Sequence, residues 1–354
     1  MKISKISISS FKCFSQADLE FGDITILSGL NSSGKSSIVQ ALRMFGESSL
    51  GKSPLIKGHG SYDELRSRFS PLNSPIEIKC TYENQISADL KISKSQIKTP
   101  KSAPIMYHLS AARLGPQSSL PLSSKSSIWP EIGSNGEFVV DFMKFFDGTI
   151  VSELLRRSEE EGRTFEIQLN NWVEEIAPGA LITTNKDEKR DTSYYEINSF
   201  RPANAGFGVS YSLPILAAIF GLTAHEPKNG WLTTDGQKWA AQRDKKGVVL
   251  LIENPEAHLH PKAQTNLGTL LGQASQCGIQ IIIETQSDYI LDGIRIAVKN
   301  RKVPSTSTKV YYLIPNGDAP PLIESPKIFD DGRLEFWPKG FFDQTLKNRM
   351  ELAR

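Results

Sequence analysis

Polar and apolar residues alternate from Lys2 to Ile8 as in a half-buried strand, and Asp18–Phe21 repeats the pattern before an uninterrupted apolar stretch, Ile24–Leu27. The period then lengthens. Ile38, Val39, Ala41, Leu42 and Phe45 recur at helical spacing, which predicts strand, tight connection and helix in sequence. Residues 47–75 are rich in Ser, Gly, Lys and Pro and read as an irregular surface connection. Strand patterns resume at Ile76–Tyr82, Ile86–Ile92 and Pro104–Ser110. From 118 to 204 the period is helical around Val139–Phe146, Ile150–Arg157 and Ile167–Ile176, with short strands near Leu181 and Tyr194. This predicts a mostly helical lobe inserted into a sheet domain. An apolar helix, Tyr211–Leu222, follows, then a polar loop or short helical excursion over 223–247. Val248–Ile252 and Ile279–Ile283 are apolar throughout, as central strands buried on both faces are, and each leads into a helical pattern. Strands near Val310–Ile314 and Leu322–Ile323, an aromatic tail over Asp331–Phe342 and a last helix complete an α/β chain.

The first apolar strand feeds Gly29-Leu30-Asn31-Ser32-Ser33-Gly34-Lys35-Ser36, a complete G-x-x-x-x-G-K-S phosphate loop in its strand-loop-helix context. Its backbone N–H groups, with Asn31, Ser32, Ser33, Gly34 and Ser37, are placed to face a nucleotide's phosphates, helped by about half a positive charge from the helix dipole. Lys35 is expected on the β- and γ-phosphates and the Ser36 hydroxyl on Mg²⁺. Phe11 and Lys12, shortly upstream, fit either an adenine contact or a surface hairpin turn. Polar groups released at the C-terminal ends of buried strands face ligands, which makes Arg113 and Gln117 candidates for phosphate or Mg²⁺-water contacts. Glu253, ending Val248–Ile252, is expected to hold Mg²⁺ through water. Gly206-Phe207-Gly208-Val209-Ser210 before an apolar helix is a second helix-start anion site.

At 354 residues the chain has room for one large or two ordinary domains, and a net charge of +2 implies no strong whole-molecule attraction to nucleic acid or membrane. The lysine-rich segment 91–101 fits a phosphate-backbone contact or, better, a solvated hairpin tip. The longest apolar run, Leu213–Leu222, is too short to span a bilayer, and the N-terminus alternates like a strand, so a cytoplasmic address is expected. Cys13, Cys80 and Cys277 have no metal-site or disulfide pattern.

In their order, phosphate loop, polar strand end, helical lobe, glycine-serine signature, acidic strand end and polar switch, these parts resemble an ABC-type ATPase head. More narrowly, Ile252-Glu253-Asn254-Pro255-Glu256-Ala257-His258-Leu259-His260-Pro261, the Gly206–Ser210 signature, Glu284-Thr285-Gln286-Ser287-Asp288 and the Trp337–Phe342 tail look like the compact AAA-like ATPases of bacterial defence loci. Those are relatives of the overcoming-lysogenisation-defect ATPases that carry a short tail domain of unknown function. The resemblance runs from Ile3 to about Phe342. It implies a P-loop NTPase of ABC-head type with a mixed central sheet, divided as 1–117 and 205–325 (ATPase lobe), 118–204 (helical lobe) and 326–354 (tail). It also implies ATP and Mg²⁺ as cofactors and a head-to-tail homodimer resembling SMC-type heads. In that dimer Gly208 and Ser210 cap the γ-phosphate held by the partner.

The chain departs from the pattern in three places. Asn254 stands where such heads place a Glu that polarises the attacking water; a general base contributes roughly 10²–10⁴ in rate, so slow hydrolysis is expected. Glu256 is the substitute, on the expectation that Pro255 holds Asn254 extended and so puts 254 and 256 on one side. Gln286 replaces the usual switch His and can hydrogen-bond the γ-phosphate without charge. The Toprim nuclease of many relatives has no counterpart here, which points to a separate effector, expected to be a nuclease, with nucleic acid a possible further partner. The candidate catalytic set is Lys35, Glu253, Asn254, Glu256 and Gln286. The resulting expectation is an ATPase switch in anti-phage defence. Its alternatives are a non-hydrolysing nucleotide-gated scaffold and, less well matched because the signature lacks the L-S-G-G-Q form, a transporter nucleotide-binding subunit. His258 and His260 have no third ligand at metal spacing and resemble the segment that crosses the ATP dimer interface.

Overall fold

The alternating N-terminus forms β1 (Ile3–Phe11), which buries Ile3, Ile6 and Ile8 and turns through Lys12 and Cys13 into β2 (Phe14–Glu20). The computed structural model describes residues 1–123, 129–157, 162–227, 230–231, 234–338, 340 and 344–352, side chains of 344–347 excepted. β3 (Ile24–Gly29) is buried along its whole length, and α1 (Lys35–Ser49) leaves the loop behind it. After the single turn α2 (Tyr62–Leu65), β4 (Ile76–Tyr82), β5 (Ser87–Ile92) and β6 (Ile97–Lys98) complete an antiparallel sheet in the order β2-β1-β4-β5-β6. Lys91, Lys94 and Lys98 on its outer hairpin pair with Glu77, Asp63 and Asp89, so this basic run is a solvated hairpin.

β7 (Ile105–Leu109) enters the second sheet. Then come β8 (Leu120–Pro121), α3 (Val139–Phe145), α4 (Phe165–Ile176), β9 (Ile182–Asp187) and β10 (Thr192–Ile197). α5 (Phe207–Leu222), α6 (Thr234–Lys246), β11 (Val248–Glu253), α7 (Pro261–Ser275), β12 (Ile279–Glu284) and α8 (Asp288–Lys299) follow. β13 (Thr308–Asn316), β14 (Ala319–Glu324) and α9 (Gln344–Leu352) end the chain.

The central sheet runs β14-β13-β3-β12-β11-β7, parallel except for edge strand β14. Its strands are apolar on both faces because both faces are covered. Val249, Leu251 and Ile282 pack toward α1 and the antiparallel sheet, whereas Leu250, Ile252, Ile281 and Ile283 join the core formed with α5, α7 and α8. Fully burying such a side chain contributes about 1.5–3 kcal/mol relative to exposure. The buried Gln280 at the start of β12 accepts the Ile3 N–H and donates to the Ile3 and Gly22 carbonyls, fastening the antiparallel sheet to the central one.

The inserted segment is less helical than its periodicity predicts. Ile150–Arg157 contains only a 3-10 turn, Glu153–Leu155, while the strands expected near Leu181 and Tyr194 are β9 and β10, which join β8 in a small antiparallel sheet. Helical spacing over so short a stretch reflects burial on one side, and the core of the central sheet continues directly into this segment through Phe142, Phe146, Phe165 and Leu213. The polar 223–247 stretch is organised around α6, whose Trp239 is fully buried. In the aromatic tail, core packing is the better expectation from sequence, yet Phe336 and Trp337 are 42% and 50% exposed, with the Arg295 guanidinium 5.1 Å from the Trp337 ring. Phe341 and Phe342 lie outside the described residues.

Candidate functional site

β3, β12, β11 and β7 are parallel, so their C-terminal ends share one edge. In register, Glu253 lies opposite Glu284 and Glu284 opposite Leu27, which sets two acids in a row beside the phosphate loop. The loop's backbone is fixed by glycines where other residues do not fit. Gly29 has φ 144° with a would-be Cβ 2.2 Å from the Leu313 carbonyl, and Gly34 has φ 102° with its Cβ 2.7 Å from Cys13 Sγ. Lys35 is buried and donates through Nζ to the carbonyls of Gly29 (3.0 Å) and Leu30 (2.8 Å). Burial pulls its pKa down, while the Glu284 charge pulls it back up. Ser32, Ser33, Gly34, Lys35, Ser36 and Ser37 line, with Lys12 and Cys13, a hollow of about 200 Å³ over the loop. Lys12, Cys13 and Ser32 also line an adjoining cleft of about 380 Å³ that contains Arg66, Arg68 and Phe69. Glu64 lines it too, while Arg66 donates to the carbonyls of Ser67, Ser70 and Pro71 and Arg68 faces Asp318. Lys12 thus stands beside the loop, but Phe11 is fully buried in the core and cannot stack on a base.

The acidic edge differs in detail from its expected form. Glu253 Oε1 is 2.8 Å from His108 Nε2. Burial, the largest influence, pushes the Glu253 carboxyl up, but the His108 hydrogen bond and charge, the Ala111 backbone and the Arg43 charge together bring the net shift downward. His108 is itself held below its usual value by burial, so a neutral ring donating from Nε2 accounts for both. The acid that touches the loop is Glu284, whose Oε1 accepts from Ser36 Oγ at 2.9 Å; burial raises its pKa. Its Oε2 is buried with no partner among the described residues. Oxygen donors around a buried, unpartnered carboxylate oxygen are the set a hard divalent cation takes.

Arg113 does not point to the loop. Its buried guanidinium donates to the carbonyls of Ser110 (2.7 Å), Glu253 (2.6 Å), Asn254 (2.6 Å) and Tyr211 (3.0 Å), with its pKa pulled down to about 10 by burial. It clamps the acidic turn as a positioning residue. Gln117 is exposed on the following connection. Asn254 is not extended: it has φ 45°, the left-handed region that Asn tolerates, and its N–H donates to the Glu284 carbonyl at 2.8 Å. Pro255 excludes the right-handed helical region for Asn254 but leaves this one open. Glu256 therefore turns toward the switch, accepting from Thr285 Oγ1 (2.7 Å) and the Gln286 N–H (2.9 Å). Gln286 in turn donates to Asn31 Oδ1 at 2.8 Å, tying the switch to the phosphate loop.

At the signature, Gly206 precedes α5 with Asn204 and Phe207 exposed, whereas Ser210 is buried and accepts from Tyr195 at 2.8 Å. Ser210 is one helical turn in and faces the core, where it is not presented to a partner; the exposed helix start is Asn204–Phe207. His258 stacks on Phe207 at a ring distance of 5.6 Å and lies tilted against Tyr211 at 4.2 Å, and His260 caps α7. Glu284, His108 and Thr285 are therefore members of the candidate site that sequence reasoning passed over, and Tyr195 is the inward partner of Ser210. Glu284 alone carried a signal, as an acid ending an apolar run just as Glu253 does.

Residues 1–118 match the AAA ATPase domain family, and residues 238–292 match a second AAA domain family whose description names the AbiEii toxin and the type IV TA system. Residues 303–352 match a family described as a protein of unknown function. No curated protein matches the chain. Among solved structures, an SMC head bound to the C-winged helix domain of ScpA is 13% identical with a TM-score of 0.50, over 92% of this chain and 98% of that one. The SMC head domain from Thermotoga maritima is 12% identical with a TM-score of 0.45, covering 92% and 98%. The recombination mediator protein RecF-ATPrS of the RecFOR pathway is 12% identical with a TM-score of 0.46, covering 88% and 95%. The chain thus carries matches to two AAA domain families over separate stretches, on a mixed α/β sheet with the P-loop fold of an SMC head.

Proposed function

We propose that the chain is an ATP-driven switch: it binds Mg²⁺-ATP, pairs head to tail with a second copy and hydrolyses ATP slowly to reopen. The observation that carries this is the link from nucleotide loop to switch, Asn31 to Gln286 to Glu256, beside the Ser36–Glu284 contact. A γ-phosphate arriving at Lys35 competes with the carbonyls of Gly29 and Leu30 for the Lys35 ammonium and with Asn31 Oδ1 for the Gln286 amide, so binding is coupled to the geometry of the switch. Lys35 supplies charge to the phosphates, Ser36 and the strand-end acids hold the cation, which shields the phosphate charge when bound, and Arg113 keeps the acidic turn in place. Residues 1–117 and 205–325 make the ATPase lobe, 118–204 relay the change, and 326–354 form the tail.

The exposed Asn204–Phe207 helix start is the surface offered to the partner's γ-phosphate. The output passes to a separate effector protein, for which a nuclease in anti-phage defence follows from the sequence resemblance; an SMC head bound to a ScpA domain is a parallel for a head that carries a partner. A second reading, a nucleotide-gated scaffold without useful turnover, is favoured by Asn254, an amide in place of an acid.

The test uses purified full-length protein. ATPγS with Mg²⁺ is expected to bind one per chain and to double the mass by light scattering, and ATP to turn over roughly 10²–10⁴-fold more slowly than in a head that keeps the acid. Binding without a mass change rejects the paired site, and tight binding with intact ATP after hours establishes the scaffold.

A further inference from the structure

We infer that Glu284, on the strand beside the acidic turn, is the carboxylate that positions the divalent cation next to Ser36. The inference rests on the nucleotide reading above and names a residue within it. Three acids stand along this edge, and they differ in what they already hold. Glu256 has one oxygen on Thr285 and the other on the Gln286 N–H. Glu253 gives Oε1 to His108. Glu284 reaches the phosphate-loop serine at 2.9 Å with Oε1 and keeps Oε2 buried and without a partner among the described residues. The whole residue is only 6% exposed.

A carboxylate buried in that state is unfavourable unless something compensates it, because buried charges are ordinarily paired or bound to metal. Lys35 is close enough to contribute, yet its Nζ hydrogen bonds go to Gly29 and Leu30. The spacing is also informative. Two neighbouring ligands of an octahedral Mg²⁺ at about 2.0–2.1 Å stand about 2.9 Å apart. Ser36 Oγ and Glu284 Oε1 are separated by 2.9 Å. The pair is thus pre-set as two cis oxygens of a hard-cation site, with Glu253 on the adjoining strand in a supporting place.

Mn²⁺ replaces Mg²⁺ in the test, and its binding to full-length protein with ATPγS is followed by electron paramagnetic resonance. Glu284→Gln is expected to weaken Mn²⁺ roughly 10–100-fold and Glu253→Gln by less, whereas ATPγS affinity in EDTA is not weakened in either, since each change removes a negative charge beside the phosphates. An unchanged Mn²⁺ affinity in Glu284→Gln, or a larger loss in Glu253→Gln, overturns the inference. A thermal melt without metal distinguishes a structural role: Glu284→Gln removes an uncompensated charge and is expected to melt at or above wild type, while a lower melting point marks the Ser36 contact as mere packing and also overturns it. Wild-type protein that fails to bind ATPγS at all sinks the nucleotide reading itself, which is separable from a Glu284 failure in protein that still binds.

Discussion

The phosphate loop and the signature helix start are both glycine-containing helix N-termini, yet they are finished to different degrees. At the loop, Lys35 is held on two carbonyls, Ser36 on Glu284 and Asn31 on Gln286, all within the same chain. At α5 the hydroxyl expected to do chemistry is turned inward onto Tyr195, and what faces out is Asn204, Gly206 and a Phe207 that is 55% exposed. The first is a site preorganised for a ligand; the second is a surface with nothing of its own chain to act on. A helix start gains from an anion, and the pairing proposed above would bring one there from the partner.

The largest effect is expected at the finished end. Lys35→Met removes the buried cation and should raise the ATPγS dissociation constant about 100-fold, ~2.7 kcal/mol, by calorimetry. A variant with wild-type affinity would show that the loop backbone suffices and that the two helix starts are more alike than their contacts indicate.

Next comes a substitution confined to the unfinished end. A Cβ at Gly206 meets nothing within 4 Å, and Gly206 stands at the N-terminus of α5, where a negative side chain is favourable in the isolated chain. Gly206→Asp should therefore fold normally and bind ATPγS within about 2-fold of wild type, yet fail to pair, because its carboxylate opposes the partner's phosphate; such like-charge juxtapositions cost several kcal/mol. Light scattering that still reports a nucleotide-dependent dimer would remove the signature from the interface.

These two ends were not equally legible in the sequence. The phosphate loop is contiguous, so one strand, eight residues and one helix announce it, and the apolar runs before Glu253 and Glu284 announce the central strands. What was hidden depends on contacts between distant residues. Ser36 meets Glu284 across 248 positions, and Tyr195 meets Ser210 only because the small β8-β10-β9 sheet packs beside α5. Two of that sheet's strands are expected near Leu181 and Tyr194, but their pairing with β8 and the placing of Tyr195 against Ser210 are contacts that no local pattern carries. Asn254 was misplaced for a local reason: the proline after it removes one backbone region and leaves two, and the Glu284 carbonyl selects the left-handed one. Inward-facing Arg113 belongs to the same class, since a strand-end arginine serves a phosphate or a ring of carbonyls equally well until the neighbouring strand is in place.

The smallest effect is the one that decides what the signature serine does. If Ser210 capped a partner's γ-phosphate, Ser210→Ala would abolish pairing. With its hydroxyl bonded to Tyr195 inside the protomer, the same change should leave ATPγS-dependent dimer formation within about 2-fold and lower stability by about 1 kcal/mol, a melting shift of no more than about 2–4 °C. Tyr195→Phe should cost about as much, because it leaves the buried Ser210 oxygen without its donor, and the double variant should cost less than the sum of the two. Additive losses would break the pair as a structural unit. Loss of pairing in Ser210→Ala with unchanged melting would mean that α5 rotates its first turn outward on closure, and the contrast between a preformed loop and an externally completed helix start would then describe only the unpaired chain.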